Sequence, residues 1–346
     1  MIPERRVTAA LSADRSALSR RSFSLALVGA CASACAAGLF PAHALAQAAR
    51  TLRLVVGFPP GGSTDTVARL LGEAMRGKFE GPVIVDNKAG AGSRIAAESM
   101  KSAPADGSVV LIAPNPIVTM YPHVYKRLSY DPVRDLVPVA RLATYPLLLS
   151  VGPAVPSSVK TLRDFVDWAK ANPKLASFAS PASGTTPHFV GVMVAKAAGI
   201  ELTHVPYRGD APAVQDLIGG QIALSINVPA AQLPHLASGK LRVLATSGAQ
   251  RMAQLGDVPT LTEAGFQIQT SDWFGAFAPP GTPAAAIAHI QAALREALQV
   301  KDVQQGFAKQ GIEPAFMPGD ELARLIVEES AYWAKVVKAT GFTPED

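Results

Sequence analysis

The segment LRLVVGFPPGGSTD, residues 52–65, runs from an aliphatic stretch through a Gly/Pro turn into a helix start. Leu52 to Val56 are apolar on both faces, as in a strand covered by helices on each side. Gly57, Pro59, Pro60, Gly61 and Gly62 make the turn. Ser63 or Thr64 is then predicted to cap a helix whose apolar residues Val67, Leu70, Leu71, Ala74 and Met75 fall at helical spacing. The unit is strand, Gly-rich loop, helix.

The same unit recurs outward from there. Residues 83–85 read as a strand, followed by Asn87, the Gly90-Ala91-Gly92 turn and a helix through Ile95, Ala96 and Ala97; residues 109–112 give a third strand. Alternation of this kind implies parallel pairing with right-handed crossovers, hence a doubly wound α/β sheet. Residues 146–151 look like a strand leading to a second series. That series has a helix through Leu162, Phe165 and Trp168 capped by Ser157 or Ser158, then a strand at 177–179 and a helix from Thr186 and Pro187 to Gly199. Further strands read at 202–205, 222–226 and 241–245. Residues 272–280 are extended and aromatic, and 283–300 and 320–340 are helical. A chain that passes to a second unit and returns crosses the gap twice, which makes a hinge. Residues 50–148 plus 273–346 are assigned to one lobe and 149–272 to the other.

Composition agrees with two packed cores, since 49% of the 346 residues are hydrophobic and 17% charged. Residues 1–46 read separately. Ser19-Arg20-Arg21-Ser22-Phe23, an apolar run to Phe40 and the small-residue signature Ala44-Leu45-Ala46 have the pattern of a twin-arginine export leader that is removed. The competing readings are a transmembrane anchor and lipidation at Cys31. The leader holds five arginines against Glu4 and Asp14, so its removal lowers the formal net charge from +5 to +2. No basic stripe interleaved with aromatics is present to follow phosphates, which argues against nucleic acid as a partner. Both cysteines, Cys31 and Cys35, also lie in the leader, so the remainder has no thiol chemistry. The periplasm is the expected compartment, and a monomer the expected state.

The loop 58–65 is the leading binding candidate, with Phe58, Pro60, Gly61, Gly62, Ser63 and Asp65. Glycines let main chain approach a guest, and the N–H groups of a helix start favour an anion. Lys followed by Ser or Thr is missing after Gly62, so this is no nucleotide P-loop. A plain βα turn is the competing reading, and Asp65 is either a helix-dipole charge or a group that organises water or an ammonium. Gly90, Ala91 and Gly92 suit a tight turn with anion contacts rather than a dinucleotide site, because Ile95 stands where a third glycine belongs. In the loop 180–186, Ser180, Ser183, Gly184, Thr185 and Thr186 offer hydroxyls and N–H groups to a carboxylate, or simply cap a helix. His188 is either a donor to the guest or a structural histidine. Tyr207 and Arg208 follow a strand end, where open α/β sheets bind ligands. Arg208 pairs either with an acidic guest or with Asp210. Asn227 and Trp273 occupy similar strand ends. The histidines at 123, 188, 204, 235 and 289 lack metal-ligand spacing, and no hydrolase elbow or zinc motif occurs. Neither a catalytic residue, a metal nor a cofactor is expected.

Several segments together resemble one family, the extracytoplasmic receptors of tripartite tricarboxylate transporters, known as Bug proteins. They are GFPPGG at 57–62 with Asp65, Ala68 and Arg69; VDN at 85–87 with Gly90-Ala91-Gly92; and APADG at 103–107. YDP at 130–132, HVPYRG at 204–209, Leu217 to Gly220, DVPT at 257–260 and APPGTP at 278–283 extend the likeness over essentially the whole chain after the leader. The resemblance implies a two-lobe type II periplasmic-binding fold with a hinge of two crossover strands. It also implies that main-chain groups of the loops 58–65 and 180–186, with bridging waters, grip a small carboxylate or related amide. Membrane transporter subunits, and in some relatives a sensor protein, are the implied partners. Ala89 stands where the family often has Pro, Ser93 where Gly is frequent, and Arg208 where Lys is commoner. The rival readings are an exported hydrolase using Ser183 or Ser63 with His188, and a binding fold kept for signalling or interaction alone.

Overall fold

The computed structural model describes residues 51–344. The paired arginines, Cys31 and the signature at 44–46 lie outside the described residues. Ala49–Asp346 forms one compact unit.

In chain order the first sheet receives β1 (Leu52–Val56), β2 (Val83–Asn87), β3 (Val109–Pro114) and β4 (Val137–Tyr145). Between them lie α1 (Ser63–Ala74), α2 (Arg94–Ser99), α3 (Pro116–Thr119) and α4 (Tyr121–Val124). The chain then enters a second sheet with β5 (Leu148–Val151), α5 (Leu162–Ala171), β6 (Ser177–Ser180), α6 (Thr186–Ala198), β7 (Thr203–Pro206), α7 (Asp210–Ile218), β8 (Leu224–Asn227), α8 (Pro229–Leu236) and β9 (Arg242–Thr246). It returns through β10 (Asp272–Ala278), α9 (Ala284–Ala297), α10 (Lys301–Lys309), β11 (Glu313–Pro318) and α11 (Gly319–Thr340). The sheets have six strands, in the order β11-β4-β10-β3-β1-β2, and five, in the order β7-β6-β8-β5-β9. This is the α/β, two-lobe architecture read from the sequence.

Both faces of β1 are covered, as its apolar run requires. Leu54 and Val56 pack with Val67 and Leu71 of α1, whereas Val55 joins Leu111, Ala113 and Trp333 on the opposite face. Each of these Val and Leu side chains contributes roughly 1.5–3 kcal/mol by leaving water. In α11, Leu322, Ile326, Trp333 and Val337 recur at helical spacing and are its buried stripe. Phe189 of α6 is buried in this same first-lobe cluster, with Trp333 and Phe342 against its ring. One second-lobe helix therefore reaches into the first lobe's core.

The sheets depart from the expected all-parallel pattern. β1, β2 and β3 are parallel, but β10 runs antiparallel to both β3 and β4. In the second sheet β6, β7 and β8 are parallel, while β5 is antiparallel to β8 and β9. The exceptions in direction are the crossover strands, β5 leaving the first lobe and β10 re-entering it, together with the edge strand β11, which is antiparallel to β4. Two strands, β4 and β11, are additions to those read from sequence. Three caps also differ. Gly62, not Ser63 or Thr64, is the N-cap of α1. Thr161, not Ser157 or Ser158, caps α5 through a capping box with Asp164. Thr185 precedes α6, so Thr186 is already helical.

The two crossings lie side by side, because Tyr145 is paired with Asp272 and Leu148 with Thr246. Ser247, fully buried, ties them together. Its hydroxyl accepts the Leu147 N–H at 2.9 Å and donates to the Thr270 carbonyl at 2.7 Å. Its main chain bonds the same two residues, at 3.0 and 2.8 Å.

Candidate ligand-binding cleft

Because β1, β2 and β3 are parallel, the loops after them emerge at one end of the first sheet. The loops after β6, β7 and β8 do likewise in the second. The first loop is built by Asp65, which is 1% exposed. Its carboxylate accepts the Gly61 N–H at 2.8 Å, two bonds from Arg69 at 2.8 and 3.0 Å, and one from Asn87 at 2.9 Å. Asn87 also donates to the Phe58 carbonyl at 3.0 Å. Burial pushes the Asp65 carboxyl up, but the bonds from Arg69, Gly61 and Asn87 outweigh it and hold the group below the usual carboxylate range. The carboxylate is thus spent on shaping the loop. Gly61 has φ +88, a left-handed conformation that favours glycine, and its N–H is already used. The first-turn N–H groups after Gly62, those of Ser63 and Thr64, have no acceptor within the helix and remain for an anion.

The Gly90 turn packs directly against this loop. Ser93 Oγ is buried beside the Gly57 main chain, where a Cβ would stand 1.9 Å from it. Gly90, Ala91, Gly92 and Ser93 all have positive φ, at 144°, 47°, 63° and 76°. Tyr121 of α4 donates its hydroxyl to the Gly92 carbonyl at 2.9 Å and helps to hold this strained run.

On the other lobe, Ser180 bonds the Ala182 carbonyl at 2.9 Å and His204 Nε2 at 2.7 Å. Thr185 donates to the Ala182 carbonyl at 2.8 Å. Gly184, at φ +67, gives its N–H to His188 Nδ1 at 3.1 Å. His188 is buried and stacks on His204 with ring centroids 3.8 Å apart. Burial pushes both imidazoles down to about 4, so both are neutral at pH 7. Ser183 sits half-buried at the loop tip.

These turns meet across the lobes. Val124, one turn along α4 from Tyr121, lies where a Cβ on Gly184 would stand 3.1 Å away. A single short helix therefore has the Gly92 turn on one residue and the Gly184 turn on another. Beside them Thr186 opens α6 against the Asp272 carboxyl of β10, close enough to oppose its rise without completing a hydrogen bond. Burial pushes Asp272 up to about 7, Asn115 opposes that shift, and the charge of Glu329 adds to it. A crevice too narrow to admit a water molecule, lined by Ser63, Tyr145, Val228, Pro229, Phe274 and Ile312, lies between the lobes. A wider open groove of about 760 Å³ lies on the outer face of the first lobe, lined by Val118, Leu128, Val133 and Ile326. Its lining contains no residue of the loops 58–65, 90–93 or 180–186.

Other candidates are placed differently. Tyr207 donates to Asp216 at 2.7 Å and so serves its own helix. Arg208 is exposed and, among the described residues, forms no ion pair, so of its two alternative partners Asp210 is not taken up. Trp273 is core, its Nε1 donating to Glu329 at 3.0 and 2.9 Å. Asn227 is fully buried, gives Nδ2 to Ser225 at 3.0 Å and leaves Oδ1 without a partner. The groups that sequence reasoning passed over are Tyr121, Ser247 and Asp272. None lies in a motif, and only tertiary contacts bring them to the seam.

A family model described as tripartite tricarboxylate transporter family receptor matches residues 67–342. The chain belongs to this family. Protein BugT of Bordetella pertussis is 34% identical over 87% of this chain and 92% of its own. Among solved structures, an R. palustris protein with adipate is 33% identical at TM-score 0.80, covering 86% of this chain and 99% of that one. MatC from Rhodopseudomonas palustris with bound malate is 30% identical at TM-score 0.73, covering 83% and 99%. The receptor is a solute-binding protein of transport, not an enzyme, and the hydrolase reading is set aside. His188 supports this locally, because its Nδ1 is engaged by Gly184 rather than by a serine. No helix among the described residues is long and apolar enough to cross a membrane.

Proposed function

We propose that this receptor captures a small carboxylate in the periplasm by closing its two lobes and presents the closed form to the membrane subunits of a tripartite transporter. The observation that carries the reading is the meeting of strand-end turns from opposite lobes at α4, with Gly92 held by Tyr121 and Gly184 against Val124. The guest's carboxylate lies at the helix starts after Gly62 and at Thr185 and Thr186, where N–H dipoles favour negative charge without a formal cation. Phe58, Pro60 and the 90–92 turn wall one side, and Ser180 and Ser183 belong to the other. Lobes 50–148 plus 273–346 and 149–272 rotate about residues 146–147 and 270–271. A guest that bridges both lobes binds the closed form better and shifts the population toward it. The adipate and malate complexes among its relatives support this ligand class.

The test is a thermal-shift and calorimetric screen of small dicarboxylates, amino acids, aromatic acids and their amides. A true guest at a hundred times its Kd stabilises the fold by about 2.7 kcal/mol, a rise of several degrees in melting temperature. A panel without one stabilising acid or amide defeats the proposal.

A further inference from the structure

α11 ends at Gly341, whose φ of +71 is the left-handed turn that stops a helix. The next residue, Phe342, is half-buried and lies against α6. Its ring meets Phe189 edge-on, with centroids 5.4 Å apart at 73°, and meets His188 in the same manner at 5.6 Å and 68°. Edge-to-face contacts of this kind are attractive beyond the area they bury. A second tie lies alongside, where Lys196 of α6 donates Nζ to the Ala339 carbonyl at 3.4 Å, a cation at the carboxyl end of α11.

His188 gives this contact its consequence. Phe342, His188, His204 and Phe178 form a column of rings, with successive centroids 5.6, 3.8 and 4.8 Å apart. The column is bonded twice to the loop 180–186. His188 Nδ1 takes the N–H of buried Gly184 at 3.1 Å, and His204 Nε2 meets Ser180 Oγ at 2.7 Å. Among the described residues, the rings against His188 are those of Phe178, Phe189, His204 and Phe342. The first three are carried by β6, α6 and β7. Phe342 is the one supplied from the first lobe, behind a helix whose stripe of Leu322, Ile326, Trp333 and Val337 is buried in that lobe's core.

We infer that Phe342 is a positioning residue for capture: pressed on His188 from the first lobe, it fixes the Gly184 turn of the second without touching the guest. The inference rests on the capture reading above, in which the main chain that follows Gly184, at Thr185 and Thr186, receives the carboxylate. A histidine held on its ring face keeps Nδ1 aimed at Gly184, and the turn keeps its shape. None of the motifs read from the sequence includes Phe342.

Amide exchange followed by NMR, beside calorimetry, tests this on the intact protein. In Phe342→Ala the Gly184 amide is expected to exchange about three- to tenfold faster, the worth of one edge-to-face contact, while amides of β1 and β3 keep their rates. The Kd for adipate or malate, or for the tightest acid of the panel above should neither bind, is expected to rise by the same factor. Phe342→Leu, which keeps apolar bulk without a ring, is the second variant and should behave as alanine does. Phe342→Tyr keeps the ring and should restore both measurements. An unchanged Gly184 amide in the two ring-free variants overturns the inference and leaves the capture reading standing. Faster exchange shared equally by β1 and β3 overturns it too, because that marks a general loss of stability, and so does an affinity loss that tyrosine does not restore. Failure of the whole panel to bind the parent protein overturns both readings.

Discussion

Gly184 donates its N–H to Nδ1 of His188 at 3.1 Å, and Gly61 in the other lobe donates to the Asp65 carboxylate at 2.8 Å. In each lobe a left-handed glycine is fastened to the side chain four residues on, in the first turn of the helix that follows. The binding loops are therefore held from beneath, and the N–H groups left facing the cleft belong to their neighbours.

The His188 bond exists only while Nδ1 is unprotonated. The folded ring titrates near 4 because burial disfavours its charge, and His204 does the same. A histidine depressed from about 6.5 supplies stability above pH 6.5 that is lost as pH falls through 4. Urea midpoints are expected to drop between pH 6.5 and 4. His188→Asn, which keeps an acceptor and removes the titration, should drop less. Parallel acid limbs in both proteins would assign the loss to other groups.

Removing the Ser247 hydroxyl leaves the Leu147 N–H and the Thr270 carbonyl buried with one fewer partner each. Ser247→Ala is expected to cost about 1–3 kcal/mol in denaturant unfolding. Because both crossings depend on it, the spread of lobe separations measured by scattering should also widen. A variant as stable and as narrowly distributed as the parent contradicts the clasp.

What the sequence made legible follows the range of the interactions. The strand, Gly-rich loop and helix at 52–74 is specified within its own length, and its pattern reads correctly apart from the cap. β11 carries Pro314 and Pro318 and lies at a sheet edge, so it lacks an alternating signature, and it pairs with β4 far back in the chain. β4 carries Pro138 and Arg141 and reveals itself only through β10 and β11. The partners of Ser247 are 100 and 23 residues away, so nothing near it in sequence announces a hinge clasp. Asp65 stands in a recognisable motif, yet its role as the loop's anchor depends on Asn87, 22 residues on.

Replacing Asp65 by Asn separates shape from charge. The amide keeps one acceptor oxygen but cannot serve Gly61, Arg69 and Asn87 together, so the first loop loosens. Affinity for whichever acid stabilises the receptor is expected to fall about tenfold or more, at a stability cost of about 1–3 kcal/mol. Titration calorimetry beside urea unfolding reads both. Unchanged affinity with lowered stability would remove the loop from the site.

Asp272 gives pH dependence of the opposite sign to His188. Burial raises its carboxyl from the ordinary 3.8 to about 7, and Asp210 rises to about 6 for the same reason. A raised acid holds its proton longer in the folded state, so its contribution is complete below about pH 4 and is lost as pH climbs through 7. Melting temperature is therefore expected to decline between pH 5.5 and 8. Asp272→Asn, uncharged at every pH and able to face Thr186 and Asn115, should flatten that decline and be the more stable protein at pH 8. The contrast with His188→Asn is direct, because one substitution levels the acid limb of the stability profile and the other levels the alkaline limb. A wild-type alkaline limb that is already flat, or a variant that falls as steeply, would mean Asp272 ionises freely in the closed seam.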